Sequence, residues 1–190
     1  MVILVTKLEF DQYLDNLISK IHISYDDDDV LEMLFLKIFI KFQLYITELF
    51  ISYAVGISSE KGFAPKRLLN FSDKETMEKF LKIGRKYVDY YELAINSSYV
   101  FFEDNPFSIL SETTNYSNAL REMVSLRNYL AHESDESKKS YITKCLYNNS
   151  FIRPAQFLRK TLKSEKITYL TSYIDKIKEI SELLLDKPLV

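Results

Sequence analysis

Arg127, Asn128 and His132 are the residues of this chain whose types and spacing could do chemistry. They close the stretch Leu126-Arg-Asn-Tyr-Leu-Ala-His132, and His132 is one of only two histidines in the sequence. At about 100° and 1.5 Å per residue of α-helix, Asn128 and His132 stand four apart on one face, while Arg127 lies about 140° from His132 and reaches around on its long side chain. A guanidinium grips a phosphate through paired N–H donors, and an imidazole moves a proton near neutral pH. Together they suit phosphate chemistry. A plainer meaning also fits: a surface Arg, and a His at a helix C-terminus, where the helix dipole favours a cation.

The helix that must carry these groups is written in Ala119, Leu120, Met123, Val124, Leu126, Leu130 and Ala131, which recur at helical spacing and predict a face laid against a core. Upstream, Thr6-x-x-Glu9 reads as a capping box opening a helix with Phe10, Leu14, Leu17, Ile18 and Ile21 as its stripe. His22 closes it as a structural residue. Asp26 to Asp29 precede a long apolar run, so they read as the N-cap and first turn of a helix over about Val30 to Tyr53 rather than as a metal cluster. Lys37, Lys41, Glu48 and Ser52 are its polar stripe, and those charges argue against a membrane span. Glu48 is a candidate carboxylate for steering the Arg or His.

Gly62 and Pro65 mark a connector over 56–71, and Ser72-x-x-Glu75 predicts a second capping box opening one helix to Asn96 whose aromatics pack in the core. Residues 97–115, broken by Pro106, lead to the helix ending at His132. A further helix is predicted over 135–147, stopped by Asn148-Asn149. An extended connector at Phe151 to Pro154 follows, and then a last helix over 164–185. The expectation is all-α: a single domain over 1–190, an up-and-down bundle of about six helices.

Composition agrees. At 47% hydrophobic residues the chain can build one substantial core, and three Gly with four Pro favour long helices over turn-rich sheets. A lone cysteine, Cys145, rules out an intrachain disulfide and matches a reducing, cytoplasmic setting. No Cys/His cluster has zinc spacing, so neither metal nor cofactor is expected. The apolar Met1–Val5 is too short for a signal core and lacks a basic flank, so no targeting peptide is read there. A net charge of −2 argues against indiscriminate nucleic-acid binding, but the charge is unevenly spread. Residues 1–35 hold eight acids against Lys7 and Lys20, whereas 138–166 hold eight bases against Glu165. Lys138, Lys139 and Lys144 open that basic run just beyond His132 and are candidate contacts for a polyanion.

Arg-Asn-x-x-Ala-His on an apolar helix resembles the Arg-(x4 to x6)-His signature of the HEPN superfamily, whose members often carry Asn or another polar residue after the Arg. Asn105-Pro106-Phe107 before the motif helix and the helical pattern on both sides agree with it. The likeness spans about Val30 to Leu184, with its specific part confined to 127–132. HEPN domains are compact helical bundles, commonly dimers in which two motifs face one cleft, and many are metal-independent endoribonucleases of toxin–antitoxin or phage-defence systems. The resemblance therefore implies RNA cleavage at a homodimer cleft, with a cognate antitoxin as a further partner and no membrane involvement. Catalysis would fall to His132 and Arg127, with Asn128 orienting them and Tyr129 in support. It equally allows a catalytically silent interaction module or a nucleotide-binding one. Where a subset of HEPN toxins carries a modifiable Tyr two positions after the His, this chain has Ser134.

Overall fold

Thr6 and Glu9 form the expected reciprocal cap: Thr6 N donates to Glu9 Oε2 at 3.0 Å and Glu9 N to Thr6 Oγ1 at 3.1 Å. Helix α1 (Lys7–Ile23) starts there. The structure is a computed structural model that describes residues 6–23, 25–82, 88–162 and 165–188. The apolar Met1–Val5, Tyr87, Lys163, Ser164 and the side chain of His22, all assigned roles by the sequence reading, lie outside the described residues. Among those described, nine α-helices follow one another with no strand: α1, α2 (Asp28–Ala54), α3 (Lys74–Leu81), α4 (Tyr90–Asn96), α5 (Ser108–Glu112), α6 (Thr114–His132), α7 (Asp135–Lys144), α8 (Pro154–Arg159) and α9 (Tyr169–Leu183). The all-α expectation holds, with more and shorter helices than anticipated. None of them is long and apolar enough to cross a membrane.

The chain divides into two compact units, the first comprising Met1–Phe10, Phe42–Thr113 and Glu179–Val190, the second Asp11–Lys41 and Thr114–Lys178. In the first, Phe50 is fully buried and meets Phe101, Phe102 and Phe107 edge-on at 5.0, 5.7 and 5.5 Å between ring centroids. Each such ring contributes roughly 1.5–3 kcal/mol by leaving water. Tyr45 and Tyr53 of α2 are buried and direct their hydroxyls to carbonyls at the chain's C-terminal end, Ser181 at 3.2 Å and Leu184 at 2.7 Å. That leaves neither buried phenol unsatisfied.

Three expectations change in this unit. The predicted single helix from 72 to 96 is two helices, because Asp89 caps a new start by accepting from Glu92 N at 2.9 Å. The second capping box is displaced by one residue: Asp73, not Ser72, accepts the helix-end amide, from Thr76 N at 2.7 Å. Ser52, expected on the polar stripe of α2, is buried and returns its hydroxyl to Glu48 O at 2.7 Å.

In the second unit the acidic start of α2 has two uses. Asp27 caps the helix by accepting from Val30 N at 3.1 Å. Asp28, Asp29 and Glu32 bind arginines of the distant basic run: Arg153 Nε meets Glu32 Oε1 at 2.9 Å and also pairs with Asp29, while Arg159 pairs with Asp28. The opposed charge runs of the sequence therefore neutralise one another in part. Arg153 precedes α8, a helix absent from the sequence expectation, which read only an extended Phe151–Pro154. Pro154 is its first residue, where a missing N–H removes no bond. The last helix begins at Tyr169 rather than 164, because Thr161 and Thr168 form an isolated bridge ahead of it. Helix α7 stops at Lys144, before the Asn pair, with Tyr147 and Asn148 in left-handed conformations.

Candidate functional site

Helix α6 buries Ala119, Leu120, Met123 and Leu126 of the predicted stripe, with Tyr116 beside them. Val124 and Leu130 are only half-buried and Ala131 is exposed, because the last turn of the helix projects into solvent. Ser125 is also buried, its hydroxyl 2.9 Å from that of Ser140, and this polar contact ties α6 to α7. The helix ends at His132, an exposed residue. Glu133 follows with φ +48° and donates its N–H to Tyr129 O at 2.9 Å, a left-handed cap without glycine. Ser134 then caps α7 by accepting from Ser137 N at 3.2 Å. Arg127, Asn128 and His132 therefore sit at the corner of a helical hairpin, and Ser134 has a structural task as the cap of α7.

Arg127 is half-buried, and its Nη1 donates to Asn128 Oδ1 at 2.8 Å. This bond brings together two of the three motif residues and restricts the guanidinium, which has additional partners. His132 is five residues further on, about 7.5 Å along the axis. Tyr129 is not grouped with them: its half-buried ring stacks on Tyr141 of α7 at 5.3 Å with 5° between planes and meets Phe151 edge-on at 6.0 Å. Burial pushes its phenol pKa up. Lys138 lies over the Phe151 ring at 4.7 Å, which links that lysine to the Tyr129 cluster. Lys139 and Lys144 are exposed on α7. Glu48 is in the first unit, where Lys74 Nζ stands 3.8 Å from its carboxylate.

A second group on α6 escaped the sequence reading. Glu122 accepts two phenol hydroxyls, from Tyr147 at 2.6 Å and from the buried Tyr173 at 2.7 Å. These groups border a cavity of about 140 Å³ that Asn118, Tyr169 and Lys176 also line. Burial, and the Glu122 charge beside it, hold the Tyr173 phenol well above its ordinary pKa. Tyr147 reaches Glu122 from a backbone with φ +51°, a conformation that costs a non-glycine residue about 1–2 kcal/mol. Its side chain is 63% exposed, so burial does little to offset that strain. The trace of this cluster in the sequence is the spacing of Asn115, Asn118 and Glu122 at i, i+3 and i+7, which puts them on one side of the helix. Cys145 lies nearby, 2% exposed, with its thiol pKa pushed up by burial and its Sγ donating to Glu122 O at 3.3 Å, the setting of a packed rather than a nucleophilic cysteine. Among the described residues no three His, Cys, Asp or Glu side chains gather to hold a metal ion. No family model, curated protein or solved structure matches the chain.

Proposed function

We propose that this chain is a HEPN-like, metal-independent endoribonuclease whose reaction is carried by Arg127 and His132. The observation that supports this reading most is the bond from Arg127 to Asn128 on the same helix that ends in an exposed imidazole. A guanidinium already restrained by a neighbour loses less freedom when it takes a phosphate. His132, open to solvent, can be reached by a large substrate. In the proposed reaction the ribose 2′-oxygen attacks phosphorus while one imidazole removes its proton. The P–O5′ bond breaks, and the leaving 5′-oxygen takes a proton from a second imidazole. Arg127 offsets the charge gathering on the phosphoryl oxygens. One motif histidine per chain makes a homodimer the natural unit, with acid and base drawn from two copies. Lys138, Lys139 and Lys144 would hold the strand beyond the cut.

Cytoplasmic residence and restraint by an antitoxin belong to the same proposal. Arg127 also fits a second role, as a purely structural arginine in a silent interaction module, because it already has partners within the chain. RNA incubated with the purified protein and excess EDTA separates the two. The nuclease reading expects fragments ending in 2′,3′-cyclic phosphate, seen by mass spectrometry. Intact RNA, or cleavage that EDTA abolishes, overturns it.

A further inference from the structure

Glu122, Tyr147 and Tyr173 are not used by the proposed reaction, yet they are held in a specific arrangement at the edge of a cavity. Both phenols spend their single proton on Glu122, at 2.6 and 2.7 Å. Lys176 also borders the cavity, but its ammonium is engaged elsewhere, 2.7 Å from Ser172 Oγ and 3.7 Å from a Glu165 carboxylate oxygen. Among the described residues no cation pairs with Glu122. Two carboxylates against one ammonium leave the cavity with a formal charge of −1.

A half-buried carboxylate beside a cavity of about 140 Å³ is a poor host for an anion and a good one for a cation. The kind of cation follows from the walls. Calcium or magnesium takes six or more oxygen ligands in a tight shell. Here both Glu122 oxygens already accept phenol protons, and three tyrosines, Tyr147, Tyr169 and Tyr173, are among the lining residues. Aromatic side chains and a carboxylate are the surroundings that an alkylammonium group favours. The turn agrees with a built site. Tyr147 stands where a helix end normally takes glycine, at φ +51°, followed by Asn148 at φ +62°, and its hydroxyl nevertheless reaches the carboxylate.

We infer that the cavity bordered by Glu122, Tyr147, Tyr169 and Tyr173 is a binding site for a small organic ammonium ion. The site lies on the N-terminal half of α6, which carries Arg127 and His132 at its other end, and the inference stands whether or not the chain cuts RNA.

Tetramethylammonium and its neutral, similarly sized counterpart tert-butanol are suitable probes, followed by NMR on the full chain at low salt. The expected result is saturable shifts with tetramethylammonium and none with tert-butanol. Glu122→Gln keeps an acceptor but removes the charge, and should weaken binding at least fivefold. Lys176→Met removes the positive charge at the cavity's edge, leaving both Glu122 and Glu165 uncompensated there, and should tighten it several-fold. These opposite signs distinguish the site from a folding defect, which would weaken binding in both variants. Lack of saturation, equal response to tert-butanol, or loss of affinity in both variants overturns the assignment. Should Glu122→Gln fail to fold, unchanged or weaker affinity in Lys176→Met overturns it alone.

Discussion

Replacing Gly56 by alanine tests the account of how α2 ends. Ile57 N bonds Ser52 O at 2.8 Å and Gly56 N bonds Tyr53 O at 3.0 Å, a helix-ending pair that places Gly56 at φ +87°. A Cβ added there would stand 2.9 Å from Cζ and Nη2 of Arg67 and 3.1 Å from its Nη1. That guanidinium is not idle, since Nη1 donates to Ala54 O at 3.2 Å and Phe71 O at 3.3 Å, covering the carbonyl end of the helix. Left-handed alanine costs about 1–2 kcal/mol. Disturbing hydrogen bonds from a charged donor adds about 1.5–3 kcal/mol, and the smaller entropy of the unfolded alanine chain returns about 0.4–1 kcal/mol. The sum is a loss of about 1.5–4.5 kcal/mol. Gly62 is the control: φ is +81°, but nothing lies within 4 Å of its added Cβ, so Gly62→Ala should lose only about 1 kcal/mol, the strain alone. Urea unfolding followed by circular dichroism at 222 nm measures both. The reasoning also requires that the Gly56→Ala penalty shrink to the Gly62→Ala value in an Arg67→Ala background. Equal penalties for the two glycines, or a Gly56→Ala penalty indifferent to Arg67, would refute it.

Asp89→Ala removes the acceptor of Glu92 N and should cost about 1 kcal/mol in the same assay, with Asp89→Asn recovering most of it. Stability should fall between pH 10 and 12. Burial pushes Tyr53 up from 10.0 to about 12 and raises Tyr141 and Tyr173 as well, so the unfolded chain sheds these protons first and their contribution, full below pH 10, is lost as pH climbs through the folded values. A urea midpoint unchanged between pH 9 and pH 11.5 contradicts this. Cys145 should resist a thiol reagent until the protein unfolds, its labelling tracking urea; prompt labelling in native buffer would contradict its burial.

Much of the architecture could be read from the residues, and the failures have physical causes. Apolar spacing located α1, α2 and α6 because each buries one stripe or most of its surface. Asp89 was overlooked because a helical pattern running through it masks a cap whose meaning depends on the amide it receives. Helix α8 was missed because six residues are too few for periodicity to speak. The charge runs at the two ends were visible, but only the fold pairs Arg153 and Arg159 with Asp28, Asp29 and Glu32. At the candidate site, the sequence places Arg127 and Asn128 as neighbours, and the structure adds the bond between them. Glu122, Tyr147 and Tyr173 are 25 and 26 residues apart along the chain, and nothing local announces that their oxygens meet.

The most direct test of the proposed activity is the single-turnover rate on a labelled RNA in EDTA, compared between the native protein and His132→Ala. Positioned proton transfer accounts for about 10²- to 10⁴-fold in rate, and His132 is exposed at the end of α6, so the variant should fold normally and lose activity on that scale. A His132→Ala protein that folds and cuts within threefold of the native rate would contradict the assignment.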